Sequence, residues 1–117
     1  MDLHISAEHV FIACGYTDVR KSIDGLSAII VQQFQMDPFQ PSLFLFCGRR
    51  RDRFKALLWQ GDGFLLLYKR FEKGRLHWPR IPDEVRKLTP QQYRWLMEGL
   101  SVEHPRAVQK IAPKTVL

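Results

Sequence analysis

The stretch from Leu43 to Arg80 reads LFLFCGRRRDRFKALLWQGDGFLLLYKRFEKGRLHWPR. Short apolar and aromatic runs alternate in it with tight polar turns. The runs cover residues 43–47, 54–59, 64–68 and 75–78, and the turns between them contain glycine and charged residues. Short runs rich in Phe, Leu, Trp and Tyr and bounded by Gly and Asp are typical of strands joined by hairpins. The stretch therefore predicts an antiparallel meander of four strands.

One helix is predicted before the meander and a capped helix after it. An apolar stripe at helical spacing is formed by Val19, Ile23, Leu26, Ile30 and Phe34. Either Thr17 or Asp18 can cap that helix, which would run to about Gln33 and would hold Arg20 and Lys21 in its first turn. After the meander, Thr89 and Gln92 have the spacing of a capping box, with Pro90 at the first helical position and Gly99 as a stop.

These elements predict the fold class α+β: an antiparallel β-meander of four to five strands, with a helix before it and a capped helix after it. Residues 10–13 are the candidate fifth strand. Alternation predicts one apolar sheet face, covered by the first helix through Ile23, Leu26 and Ile30. Its members are Leu43, Leu45, Phe54, Leu58, Leu66, Leu76 and Trp78. The other face mixes Lys, Arg and His with Trp59 and is free to lie against phosphates, with Trp59 either a core residue or a residue available for stacking.

The length and composition are those of one ordinary globular domain. The 117 residues are 45% hydrophobic and 26% charged, and we expect a single domain over 1–100 followed by a partly ordered basic tail over 101–117. No signal-peptide pattern and no apolar run near the ~20 residues of a membrane span is visible, so a cytoplasmic location without membrane contact is predicted. Cys14 and Cys47 lack metal-ligand spacing and are expected to be buried hydrophobes.

The positive charge is concentrated in the meander. Residues 49–80 contain ten Lys or Arg and three acids, a net charge of +7, whereas the whole chain carries +6. A local basic surface with interleaved aromatic residues is typical of nucleic-acid binders, although charged turns are also common on ordinary soluble sheets. The candidate DNA-binding residues are Arg49, Arg50, Arg51, Arg53, Lys55, Lys69, Arg70 and Arg75, with Arg20 and Lys21 as either phosphate contacts or a solvated helix end.

No catalytic or metal site is predicted. Asp18, Asp24 and Asp62 are the carboxylates that a metal-dependent nuclease would need to bring together. Each has a structural explanation, which is capping for Asp18, pairing with Arg20 or Lys21 for Asp24, and a Gly-Asp-Gly turn for Asp62. The histidines are scattered without ligand spacing, and no phosphate-loop or nucleophile motif is present. We therefore expect no enzyme activity and no cofactor.

Several ordered blocks of the sequence resemble one known family. The blocks are GYTDVRKSIDGL (15–26), DPF (37–39) with LFLF (43–46), RRRDRFK (49–55), LW (58–59), DG (62–63), YKR (68–70), LTP (88–90) and LMEGL (96–100). Together they resemble the TnpB-type accessory proteins, encoded by the second reading frame of the bacterial IS66 insertion sequences. Val19 and Ser22 depart from the usual Met and Gly, and the resemblance fades beyond Ser101.

The resemblance implies an accessory role in DNA transposition beside a separate DDE-type transposase, without an assigned catalytic site. The prediction is a non-catalytic accessory protein of an insertion sequence that binds the DNA backbone through a basic sheet and turn surface. The alternative is a protein-interaction module that docks on the transposase or on another element-encoded protein. The sequence leaves self-association open.

Overall fold

A computed structural model describes residues 6–82 and 84–103 of the chain. Its helices and strands are, in order, β1 (His9–Ala13), α1 (Ile23–Gln32), β2 (Ser42–Phe46), β3 (Arg53–Trp59), β4 (Phe64–Arg70), β5 (Val85–Leu88) and α2 (Pro90–Met97). The predicted α+β class, with a helix before the meander and one after it, is confirmed. Beyond residue 103 the predicted basic tail lies outside the described residues.

The five strands form one sheet in the order β4-β3-β2-β1-β5. Strands β2, β3 and β4 make the antiparallel meander, and β5 pairs antiparallel with β1. Strand β1 runs parallel to β2. Because two parallel neighbours need a crossover connection, α1 lies between them in the chain and crosses one face of the sheet.

The predicted strand over 75–78 is wrong. This segment is extended but belongs to no strand, and its Leu76 and Trp78 are buried while Arg75 and His77 are exposed. It crosses beneath the sheet, where the Trp78 indole Nε1 donates a hydrogen bond of 2.8 Å to the Ala13 carbonyl. The alternation of buried and exposed residues therefore results from packing of this segment onto a sheet face, and not from hydrogen bonding to a neighbouring strand. The sheet nevertheless has five strands. Strand β1 was predicted, whereas β5, at the edge opposite β4, was not.

Both faces of the central sheet are buried, which corrects the predicted layering. Helix α1 packs Leu26 and Ile30 against Phe44, Phe46 and Leu57, on the face predicted to be free for phosphate contacts. The face predicted to lie under α1 packs instead against α2 and the 71–80 segment, and its buried members include Leu43, Leu45, Phe54, Leu58, Leu76, Trp78 and Leu96. Leu66, predicted with them, points to the α1 side.

The ends of the two helices differ in how well the sequence predicts them. In α2 the capping box is confirmed, because Thr89 Oγ1 accepts from the Gln92 N–H at 3.0 Å and Gln92 Oε1 accepts from the Thr89 N–H at 2.9 Å. Gly99 ends the helix at φ +81, with the paired bonds of a Schellman motif from Gly99 to Leu96 and from Leu100 to Trp95.

The start of α1 is later than predicted. Its N-cap is Ser22, so Thr17 and Asp18 do not cap it. Arg20 and Lys21 precede the helix instead of lying in its first turn. Asp18, and not Asp24, pairs with Arg20. Gly25 lies against the Lys21 side chain, whose Cβ would be 3.0 Å from an added methyl group.

Trp78→Phe should lower the free energy of unfolding by at least about 1 kcal/mol, because it leaves a buried carbonyl without its indole donor. Urea unfolding followed by circular dichroism measures the change. Trp59→Phe is the matched control, since Trp59 is half-buried and donates no hydrogen bond within the described residues. A loss from Trp59→Phe as large as that from Trp78→Phe would contradict the anchoring role of the indole.

Candidate nucleic-acid interface

The turn from Cys47 to Asp52, between β2 and β3, carries three consecutive arginines on a backbone that neighbouring segments hold in place. The Thr17 N–H donates to the Cys47 carbonyl at 2.9 Å, the Leu76 N–H to the Arg51 carbonyl at 2.7 Å and the Phe71 N–H to the Asp52 carbonyl at 2.6 Å. The Cys47 thiol donates to the Arg53 carbonyl at 3.2 Å. Main-chain bonds from two separate segments, the loop before α1 and the 71–80 segment, thus fix the shape of this turn.

The end of β4 and the segment after it bring further cations to the turn. Arg70 is paired in register with Arg53, and Lys69 with Phe54, so the two β4 cations lie at the start of β3. The chain then returns to place Arg75 beside the turn, where Arg49, Arg50, Arg51, Asp52 and Arg75 line a cleft of about 200 Å³. Four arginines and a single aspartate thus line this cleft.

The loop before α1 packs against the same turn. The Arg49 guanidinium lies 5.9 Å from the centre of the Tyr16 ring, within the range of a cation–π contact. Lys55 Nζ donates to the Lys21 carbonyl at 3.1 Å. A Cβ on Gly48 would lie 3.2 Å from a methyl group of Val19, so this glycine allows the close approach of loop and turn.

All ten predicted site residues therefore lie at one end of the sheet, which we call the basic end. Its members are Arg20, Lys21, Arg49, Arg50, Arg51, Arg53, Lys55, Lys69, Arg70 and Arg75. The prediction of a basic sheet face is wrong in one respect, because α1 covers that face around Leu57. The cations lie instead at the end of the sheet, beyond the region that α1 and α2 cover.

Three of these ten cations are already neutralised by a neighbouring carboxylate. Arg20 pairs with Asp18, Arg53 with Asp52 and Arg70 with Glu72, each at 3.0 Å. Arg53 also donates to the Tyr68 hydroxyl at 3.4 Å, and it is half-buried. The other seven have no carboxylate partner within residues 6–82 and 84–103, and they are Lys21, Arg49, Arg50, Arg51, Lys55, Lys69 and Arg75.

The ion pairs favour the charged form of both carboxylates. The hydrogen bond from the Arg20 guanidinium lowers the pKa of Asp18 from 3.8 to about 2. The hydrogen bond from Arg53 likewise lowers the pKa of Asp52. Both carboxylates are therefore ionised throughout the neutral range, and the charge of the basic end is set by its unpaired cations.

Two residues at the basic end were missed as site candidates. Lys73 is exposed in the turn between Arg70 and Arg75. Its position between two predicted site residues would have been enough to identify it as a candidate. Tyr16 is half-exposed beneath Arg49. Nothing in its local sequence connects it with a turn more than thirty positions away, so only the tertiary fold identifies it.

Trp59, for which the sequence left a stacking role or a core position open, lies away from the basic end. Trp59 is at the far end of β3, in a cluster with Phe39 and Phe64 whose ring centres are 4.9 to 5.3 Å apart. Trp78 is a core residue with 4% exposure, as expected. Neither tryptophan is placed to stack on a nucleotide held at the basic end.

The three aspartates of the nuclease alternative are not brought together. Asp18 is at the basic end, whereas Asp62 is in the β3–β4 turn at the opposite end of the sheet. Over the described residues, no group of three His, Cys, Asp or Glu is placed to hold a metal ion. No helix in that part of the chain is long and apolar enough to cross a membrane.

The fold and the site together define a small α+β protein with an arginine-rich end built on a backbone-held turn. The chain belongs to the family described as IS66 Orf2 like protein, whose model matches residues 8–107. It is 31% identical over 97 residues to the uncharacterized protein y4hO of Sinorhizobium fredii (strain NBRC 101917 / NGR234), covering 83% of this chain and 84% of that protein.

A second relative from the same strain, the uncharacterized protein y4jC, is 29% identical over 91 residues, which is 78% of each chain. No solved structure gives a significant match to this chain. The family membership confirms the resemblance seen in the sequence and supports the role of an insertion-sequence accessory protein.

The two cysteines should not react with a disulfide reagent such as dithionitrobenzoate while the protein is folded. Both are buried, and burial raises the pKa of Cys47 to about 12 and that of Cys14 to about 11, so neither supplies the thiolate needed for attack at pH 8. The same protein in denaturant, where both thiols should react, is the control. Rapid labelling of either thiol in native buffer would contradict the burial of that cysteine.

Proposed function

We propose that this insertion-sequence accessory protein binds the phosphate backbone of DNA through its basic end. The observation that carries the proposal is the group of seven cations without carboxylate partners, gathered at one end of the sheet. Cations in such a group repel one another, and an anionic partner with several charges relieves that repulsion. A DNA backbone offers a row of phosphates at close spacing.

We assign the candidate residues different roles in this proposal. The seven unpaired cations supply the phosphate contacts, and they are Lys21, Arg49, Arg50, Arg51, Lys55, Lys69 and Arg75. Arg53 is half-buried and holds Asp52 and Tyr68, so it positions the turn. Arg20 and Arg70 reach solvent but are each paired with an acid, which reduces the gain from a phosphate contact.

Binding of this kind does not depend on base sequence. Phosphate contacts fix where a protein lies on a duplex but do not read bases. The basic end is a turn flanked by strand ends. Within residues 6–82 and 84–103, no helix projects from it with side chains that could enter a groove, because α1 lies flat across the sheet. We therefore expect random DNA to bind nearly as well as DNA from the ends of the element.

The cognate DDE-type transposase and other element-encoded proteins are the proposed protein partners. Backbone binding without sequence preference would make this protein an auxiliary to a transposase that selects the element ends. The alternative function, docking of the basic end on an acidic surface of the transposase, uses the same cations with a different anion.

Arg50→Ala combined with Arg51→Ala should weaken binding to random and element-end DNA alike. If the basic end neutralises about four to six phosphates, the wild-type log–log salt slope is roughly −4 to −5, and the double variant should flatten it by about one or two. Fluorescence anisotropy over a range of salt concentrations measures both. The control is Lys87→Ala with Arg94→Ala, which removes the same charge from exposed positions away from the basic end.

Two results would contradict backbone binding. The first is a wild-type protein without detectable DNA affinity at low salt, which would favour docking on an acidic protein surface. The second is an equal change of slope in the control pair, which would show that net charge alone determines the binding.

We also propose that the protein does not cleave DNA, since Asp18 is paired and lies far from Asp62. Supercoiled plasmid incubated with the protein and Mg²⁺ or Mn²⁺ should remain supercoiled, as judged by gel electrophoresis. Metal-dependent nicking that disappears in Asp24→Asn would identify a nuclease. Asp62→Asn serves as the comparison, because a contaminating nuclease would be unaffected by either change.

A further inference from the structure

The outer edge of β4 is long, apolar and without a partner strand among the described residues. The sheet order places β4 at one edge. Its sequence, FLLLYKR, begins with five uncharged residues that are partly or largely exposed, and Tyr68 is 53% exposed. Edge strands of monomeric proteins are usually protected by charge, proline, a bulge or a covering segment, because their free backbone groups pair readily with another strand.

The register of β3 and β4 shows which backbone groups point outward. The Gln60 N–H donates to the Gly63 carbonyl, and the Phe71 N–H donates to the Asp52 carbonyl. Because bonded and non-bonded pairs alternate in an antiparallel ladder, Leu65, Leu67 and Lys69 bond to β3. The N–H and C=O groups of Phe64, Leu66 and Tyr68 therefore point away from the sheet.

We propose that β4 pairs antiparallel with β4 of a second copy of this chain, with Leu66 opposite Leu66. In this register Phe64 lies opposite Tyr68 of the second copy, and Leu65 opposite Leu67. Each outward-facing pair exchanges two N–H···O bonds. Aromatic residues then face aromatic residues and leucines face leucines, which are favourable cross-strand pairs. Two five-stranded sheets become one sheet of ten strands.

Charge favours this arrangement over its alternatives. A parallel pairing would place the two basic ends side by side, with Lys69 and Arg70 beside their own copies. The antiparallel pairing separates the basic ends and brings Arg70 beside the β3–β4 turn of the second copy, where Asp62 is exposed. A register centred on Leu67 would set Lys69 opposite Leu65 and Arg70 opposite Phe64, which loses the match of apolar with apolar residues.

This inference does not rest on DNA binding, because the edge and its register are independent of the basic end. It does give the dimer a defined geometry. The two basic ends point in opposite directions along the joined strands, so each is free to contact a separate anionic partner. The proposed dimer therefore has the form of a bridge.

Sedimentation velocity without DNA tests the dimer. Tyr68→Pro removes one outward N–H and none of the bonds to β3, and should raise the dimer dissociation constant at least about tenfold. Lys87→Pro is the matched control on the opposite edge. The bond from the Cys14 N–H to the Glu84 carbonyl fixes the alternation of β1 and β5, so the Lys87 N–H also points outward. Circular dichroism checks that both variants fold.

A cysteine cross-link tests the register without a proline. In a bonded antiparallel pair the Cα atoms are about 5.5 Å apart, which suits a disulfide. Leu66→Cys should therefore form a covalent dimer under mild oxidation, whereas Lys87→Cys should not. The native thiols are buried and do not compete. A wild-type protein that sediments as a monomer at every concentration, or equal cross-linking from both cysteine variants, would overturn the proposal.

Discussion

The burial of β2 on both faces is the constraint on which the rest of this structure depends. All five residues of the strand, SLFLF, are buried, so each face of the central sheet needs its own apolar cover. Helix α1 supplies one cover with Leu26 and Ile30. The segment after β4, with Leu76 and Trp78, supplies the other together with α2. Charged side chains cannot remain in these layers without partners, and they collect where the strands end.

The location of the candidate site follows from that constraint. Strand β2 leaves the layers at Cys47, and the chain reverses there through the arginine turn. Strands β3 and β4 have their cations at the same end because the hairpin between them sets Arg53 opposite Arg70. The parallel pairing of β1 with β2 also brings the loop after β1 to this end, which is how Arg20 and Lys21 join the group.

The sequence predicted the elements better than their layers. Three strands of the meander, the capping box at Thr89 and the gathering of basic residues followed from local patterns that need no tertiary information. The errors arose where two arrangements satisfy the same pattern. Leu76 and Trp78 alternate with exposed residues, and this pattern is the same whether the segment pairs with a neighbouring strand or packs across a sheet face.

The sequence of β2 did contain a signal for its burial on both faces. Phe44 and Phe46 alternate with Leu43 and Leu45, so both faces of the strand are apolar, which is the pattern of a strand with both faces buried. Strand β5 was missed because VRKL has a charged centre and only four residues.

The pairing state of the cations could not have been predicted. Arg20 has acids at 18 and 24 within reach, and only the late start of α1 decides that it pairs with Asp18. Arg70 and Arg75 look equivalent in sequence, yet one is paired with Glu72 and the other borders the arginine cleft. Of the ten predicted site residues, only the folded structure shows which three are paired with a carboxylate and which seven are not.

The main-chain character of the bonds that hold the arginine turn has a consequence for how this protein can change. Carbonyl groups of Cys47, Arg51 and Asp52 accept those bonds, and every residue type brings a carbonyl group. The side chains at positions 49 to 51 can therefore be exchanged without removing any bond that shapes the turn. The charge of this end can therefore vary independently of its backbone structure. Single nucleotide changes can strengthen or weaken its electric field while the main-chain bonds of the turn stay the same in every copy of the element.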